Sequence, residues 1–261
     1  MKFPLRRVVT RLALCFVPVA GCVSDDRADS SDAGSASPVL DAAMGLTDVP
    51  ETPPVALPSI ERVGGDMSVS IERRGEEFMF QSMAITTPLP AGYPDPTPPG
   101  AIDLKRYPAV RRAEVSSVLN PDLGMNMTFF PLFWHIKDRE IAMTSPVEMD
   151  YAGMERREGA RPSSWTMSFL YRSQDLGPTG EDGIVDIVDR GPMTVLSIGG
   201  RGSYSISKVD QSLQTLYAWL DEHPEWQQAG EPRALYYNGP EKSNKDKWYE
   251  VQVPVSRATP G

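Results

Sequence analysis

Between Phe129 and Tyr151 the chain reads FFPLFWHIKDREIAMTSPVEMDY. Five large apolar side chains, Phe129, Phe130, Phe133, Trp134 and Ile136, crowd one short segment at helical spacing. A charged break, Lys137 to Glu140, separates them from an extended run, Ile141 to Tyr151, that contains Pro146. Each such side chain is worth about 1.5–3 kcal/mol when withdrawn from water. A helix and a following strand must therefore share one core, and the rest of the chain has to supply its other side.

Cysteine placement limits how that core is held. The two cysteines are Cys15 and Cys22, both close to the N-terminus. Lys2, Arg6, Arg7 and Arg11 precede an apolar run, Leu12 to Ala20. That run is shorter than the roughly 20 residues needed to span a bilayer, and it reads as an export signal. It ends Val19-Ala20-Gly21-Cys22, which resembles a bacterial lipobox. That resemblance implies cleavage before Cys22 and acylation of its thiol, and so an exported protein lipid-anchored to the cell envelope. Residues 1–21 are then signal peptide. The remainder would fold without a disulfide, a cysteine nucleophile or a thiolate-bound metal.

The net charge is −9. Loss of the four signal cations leaves 22 of the 26 basic residues against 35 acidic ones, a charge of −13. No basic footprint favours nucleic acid, and an acidic surface needs its lipid to stay on an anionic membrane.

Residues 22–60, rich in Ser, Asp, Ala and Pro, read as a disordered tether. Residues 61–100 read as a hairpin followed by a proline-rich connector. Met67, Val69 and Ile71 alternate, Arg73 to Glu76 suggests a turn, and Phe78 and Phe80 alternate again. Six prolines follow between Pro88 and Pro99.

Residues 101–257 carry a weak repeat. Ile102-Asp103-Leu104 resembles Val185-Asp186-Ile187, and Trp165-Thr166-Met167 resembles Trp248-Tyr249-Glu250 at the same offset of 83. Strands are predicted over 102–115, 141–151, 165–171, 184–199, 233–238 and 248–255. One helix spans 129–138, with Pro131 in its first turn. The second starts with Ser207 as cap and Asp210 completing a capping box, and carries Val209, Leu213, Leu216, Tyr217 and Leu220 on one stripe. The expected class is α+β, with duplicated βαββ units forming a curved antiparallel sheet or distorted barrel and two helices on one face.

The run I-A-M-T-S-P-V after an aromatic helix resembles the signature of the SOUL haem-binding family. I-D-L-K-R-Y-P-A-V, W-T-M-S-F-L and the closing W-Y-E-V-Q-V-P-V extend the resemblance across about 100–256. It implies the fold shared with gyrase-inhibitor-like ligand-binding domains, and haem, a tetrapyrrole or another flat apolar molecule as ligand. Phe130, Phe133, Trp134, Met143, Tyr171, Tyr237 and Trp248 are the expected groove. His135 is the leading axial candidate for an iron, ahead of His223, but neither matches a motif position. Glu250 matches a pocket glutamate that meets cationic ligands in gyrase-inhibitor-like domains. It reads equally well as a solvated strand residue near Lys245 or Lys247. A lipophilic-cation module, a small-molecule hydrolase with Glu250 as general base, and a structural envelope protein with a filled interior are the alternatives. No P-loop, HExxH or GxGxxG occurs. Gly199 to Gly202 reads as a basic turn.

Overall fold

A computed structural model describes residues 59–154 and 156–258. The expected signal peptide, the acylated Cys22 and nearly all of the tether lie outside them.

Strand β1 covers Ile60–Gly65, and a small hairpin sheet follows, β2 Glu72–Arg74, β3 Glu77–Phe80 and β4 Met83–Ile85. The first corner is Gly75-Glu76, with positive φ at Gly75; Arg73 and Arg74, expected in the turn, belong to β2, and the expected first arm, Met67 to Ile71, lies outside any strand. Next come β5 Ala101–Tyr107, β6 Val110–Ser117, α1 Pro121–Asp138, β7 Val147–Ala152 and β8 Ser164–Leu170. The chain continues through β9 Gly180–Asp182, β10 Val185–Arg190, β11 Met193–Arg201 and α2 Ile206–Glu222. It ends with β12 Trp226–Gln228, β13 Arg233–Tyr236 and β14 Trp248–Arg257. Pro108 and Pro192 sit in the breaks between β5 and β6 and between β10 and β11, so each run expected as one strand is two.

Eleven strands make one antiparallel sheet in the order β1-β5-β11-β14-β13-β7-β8-β6-β10-β9, with β12 paired to the end of β14. This corrects the expected class. Among the described residues one open sheet dominates, with two α-helices, and the fold stands nearer all-β than α+β; it is neither a barrel nor a pair of βαββ units. Two physical reasons account for the difference. The edge strands β1 and β9 and the short β12 are too short or irregular to show alternation in sequence. The repeat also fails on register: Trp165 lies in the core under the helices, whereas Trp248 lies in the cluster on the other face. A one-residue offset along a strand reverses the face of every side chain.

Both helices pack on one face of the sheet. Leu132 and Ile136 of α1 and Leu213 and Leu216 of α2 bury there with Tyr151, Met167, Phe169 and Val251. Asn120 caps α1 by accepting from the Asp122 N–H at 3.0 Å, with Pro121 at the first helical position. This start is eight residues earlier than expected, so Pro131 is in the helix interior. There it deprives the Met127 carbonyl of its usual donor. Ser205, not Ser207, caps α2, and its stripe is the one the sequence indicated. The exposed start of α1 carries too mixed a pattern for a periodicity argument to find it.

The opposite face is covered by the hairpin sheet and the proline-rich connector. Phe78, Met83, Ile85 and Leu89 bury against Tyr107, Val195, Leu235, Tyr237 and Trp248. Gly199 and Gly200 lie inside β11, not in a turn. A Cβ on Gly199 would stand 2.3 Å from the Pro98 carbonyl oxygen, and one on Gly200 2.2 Å from the Tyr249 ring. Glycine at these two positions lets the connector and a tyrosine reach the strand from opposite sides. The Gly100 N–H bonds the Gly199 carbonyl at 3.0 Å.

Candidate functional site

The expected groove residues separate into two places on opposite sides of the sheet. Tyr237, Trp248 and Glu250 lie under the connector, and Phe130, Phe133 and Trp134 lie on α1.

Under the connector, alternation along β5 sends Asp103, Lys105 and Tyr107 inward, and alternation along β14 sends Trp248, Glu250 and Gln252 to meet them. Glu250 is fully buried. Its carboxylate accepts from Lys105 Nζ at 2.9 and 3.0 Å, Tyr237 OH at 2.6 Å, Ser197 Oγ at 2.5 Å, Gln252 Nε2 at 2.7 Å and the Thr97 N–H at 2.8 Å. Burial alone would raise its pKa. Lys105 and the hydrogen bonds from Ser197, Tyr237 and Thr97 outweigh burial, and the pKa falls below the ordinary carboxylate value. Burial first, then the neighbouring carboxylate, push the Tyr237 phenol well above its usual range. Trp248 donates its indole N–H to the Thr97 carbonyl at 2.8 Å.

The polar layer continues across the sheet. Arg233 Nε donates to Gln252 Oε1 at 2.9 Å, and its guanidinium reaches Glu148 Oε1 at 3.2 Å. Glu148 also receives Arg112 at 2.9 Å and Tyr93 OH at 3.2 Å. Arg112 pairs in turn with Glu114 and Asp150. Buried cations and anions alternate, so each charge has a partner, as a low-dielectric interior requires. Side chains fill this face where a hollow for a planar guest was expected. Glu250 is neither the solvated strand residue nor an open pocket base: it already holds the ammonium of Lys105. A carboxylate with a lowered pKa and five donor groups is a poor general base.

On the helix side, His135 is buried between its own helix and the sheet. Its Nδ1 lies 2.6 Å from Asp182 Oδ2 and its Nε2 2.8 Å from Tyr171 OH. Both ring nitrogens are engaged, so neither offers a lone pair to an iron. The axial-ligand expectation does not fit this geometry, and Tyr171, expected in the groove, is buried under the histidine. His223 stacks on Trp219 at 3.8 Å and its Nδ1 is taken by the Trp219 carbonyl. Among the described residues no group of three or more His, Cys, Asp or Glu is placed to hold a metal.

The outer face of α1 is different. Leu123, Met127, Phe130 and Trp134 are 80, 67, 56 and 51 % exposed, and Phe133 is 38 % exposed. The first four fall at i, i+4, i+7 and i+11, one stripe along the helix. Phe129, one position from Phe130, packs edge-on against Phe169 at 5.1 Å and ties the stripe to the core. Lys137 Nζ stands 4.4 Å from the Trp134 ring centre. Met143 is partly exposed in the segment after the helix. Phe130, Phe133 and Trp134 are legible in the sequence, whereas Leu123 and Met127 are not, because the helix expected from the sequence starts only at Phe129. Lys105, Arg112, Glu148 and Arg233 are not among the expected site residues either. Charges at inward positions of otherwise apolar strands were the available signal.

No protein-family model matches the chain, and no curated protein matches its sequence. Solved structures do resemble it. EcmrR in its DNA complex is 15 % identical over 60 % of this chain, with a TM-score of 0.50, and the matched region spans 57 % of EcmrR. An uncharacterized conserved protein from Listeria innocua is 14 % identical over 62 % of this chain and 94 % of its own, with a TM-score of 0.45. SAV2435 bound to tetraphenylphosphonium is 8 % identical over 59 % and 93 %, with a TM-score of 0.38. The EcmrR likeness is one of fold alone. None of these three is named as a SOUL protein.

Proposed function

We propose that this chain is a lipid-anchored envelope protein that holds a flat apolar ligand, of the tetrapyrrole class that includes haem, on the outer face of α1. The observation that carries the reading is the exposed row Leu123, Met127, Phe130 and Trp134, with Phe133 beside it. Exposed aromatic surface gathered on one helix marks a binding surface more often than scattered apolar residues do. A planar ring system can cover Phe130 and Trp134 together, and the Lys137 ammonium beside Trp134 is a partner for a ligand carboxylate. Bound haem would supply a planar apolar surface and two carboxylates. Binding would use the plate and its carboxylates and not the iron, because His135 is committed to Asp182 and Tyr171. Anchoring rests on the Val19-Ala20-Gly21-Cys22 resemblance.

The Glu250 alternatives are weaker on physical grounds. A lipophilic cation there would have to displace Lys105, and a hydrolase would need a carboxylate free to take a proton.

Titration of the purified protein with haemin, followed in the Soret region, tests the proposal. A saturable shift that weakens at least tenfold in the Phe130→Ser/Trp134→Ser variant is expected. Absence of a saturable shift, or an unchanged titration in that variant, overturns it.

A further inference from the structure

A second recess lies away from α1, which packs on β6, β8 and β10. Where β5, β12 and the end of β14 come together there is a cavity of about 690 Å³. That volume lies within the roughly 300–1,000 Å³ of small-molecule sites. Leu104 and Arg106 line it from β5, two residues apart and so on one face of the strand. Val255 and Arg257 line it from β14 with the same spacing, and Trp226 of β12 is the cross-strand partner of Arg257.

The charges at this cavity run against the rest of the molecule. Acidic residues outnumber basic ones by 35 to 26, and several arginines elsewhere, Arg62, Arg111, Arg112, Arg190 and Arg233 among them, pair with carboxylates. Neither Arg106 nor Arg257 has a carboxylate partner among the described residues. The one acid lining the cavity, Glu61, bridges to neither. Arg257 instead lays its guanidinium over the Trp226 ring at 4.1 Å. That stack occupies the face of the guanidinium and leaves its N–H edge for an oxyanion.

We infer that this cavity binds a small molecule with a flat aromatic body and one oxyanion group, an aryl carboxylate, sulfonate or phosphate. Arg106 and Arg257 hold the anion, Trp226 is the wall for the ring, and Leu104 and Val255 are the apolar floor. Charge-assisted guanidinium bonds supply orientation as well as affinity.

The test is calorimetric titration of the full chain with 2-naphthoate, and with neutral 2-naphthalenemethanol as the uncharged analogue. Saturable binding of 2-naphthoate is expected. It should weaken at least tenfold in Arg106→Gln/Arg257→Gln and in Trp226→Leu, and persist in Phe130→Ser/Trp134→Ser, where the α1 surface no longer contributes. The neutral analogue should bind at least tenfold more weakly. The site is refuted if 2-naphthoate does not saturate, if the two arginine changes leave its affinity as it was, or if the α1 variant is the one that loses it. The last control separates this site from the α1 surface.

Discussion

Lys105 Nζ and Glu250 Oε2 meet at 2.9 Å with both side chains wholly inside the protein. The pair joins β5 to β14 across β11, and the Thr97 N–H on the same carboxylate joins both to the connector. This buried pair is one of the contacts that fix the connector on the sheet, with the Trp248 indole on the Thr97 carbonyl and the Gly100 N–H on the Gly199 carbonyl.

Lys105→Met leaves a buried carboxylate without its counter-ion and should cost about 3–5 kcal/mol. Lys105→Met/Glu250→Gln removes both charges while the amide oxygen still accepts from Tyr237, Ser197 and Thr97, and should recover part of that loss. Urea denaturation of both variants measures this. Equal losses in the single and double variants would show that the pairing is not what stabilises the layer.

Acid sensitivity should follow from the same group. The folded protein holds the Glu250 pKa below its ordinary value, despite burial, through Lys105 and its hydrogen bonds. Its contribution is therefore complete above the unfolded value of about 4.3 and is lost as pH falls through the lower folded value. Glu250→Gln should flatten the decline in stability below about pH 4.3. Parallel pH curves for the two proteins would contradict the assignment.

Gly199→Ala places a methyl group against the Pro98 carbonyl. A backbone atom cannot rotate away, so a cost of about 1–3 kcal/mol is expected, as for other overpacked sites. The connector should lift from β11, which limited proteolysis between Thr86 and Gly100 would detect as faster cleavage. Unchanged cleavage would mean that the contact does not hold the segment down.

Phe130→Ser and Trp134→Ser remove side chains that face water. Each should change stability by no more than about 0.5 kcal/mol while the pair of changes weakens haemin binding at least tenfold. A large loss of stability would place these rings in the core instead.

His135→Gln should cost about 1–3 kcal/mol, because Asp182 and the buried Tyr171 hydroxyl lose their partner. The Soret band of the haemin complex should keep its position. A displaced band would restore His135 as an iron ligand.

Cys22→Ser should move the protein from the membrane fraction to the soluble fraction and abolish labelling by palmitate. Retention in the membrane fraction would remove the lipid anchor from the proposal.

Single elements of this architecture could be read from residue order. Helical period placed the stripe of α2, and alternation marked Trp248 to Val253 of β14, because each pattern is local and uninterrupted. The Phe129–Ile136 cluster was recognised as an aromatic helix, but its division between core and solvent was not. Phe129 and Phe130 are neighbours, and the position of the sheet alone decides which one packs on the core. The two-glycine run at 199–200 resembled a turn because sequence does not show what approaches a strand from above and below.

The sequence by itself determined the export signal as an expectation, the strand-rich second half, the α2 stripe and the concentration of aromatic residues before β7. Tertiary structure decided that the chain forms one open sheet instead of paired units, that Glu250 meets Lys105 instead of a ligand, and that His135 is committed to Asp182 and Tyr171. The physical reason is range. Periodicity is a property of residues a few positions apart, whereas the partner of a buried charge lies 145 positions away in the chain for Lys105 and Glu250. Only the folded arrangement of β5, β11 and β14 brings such residues together.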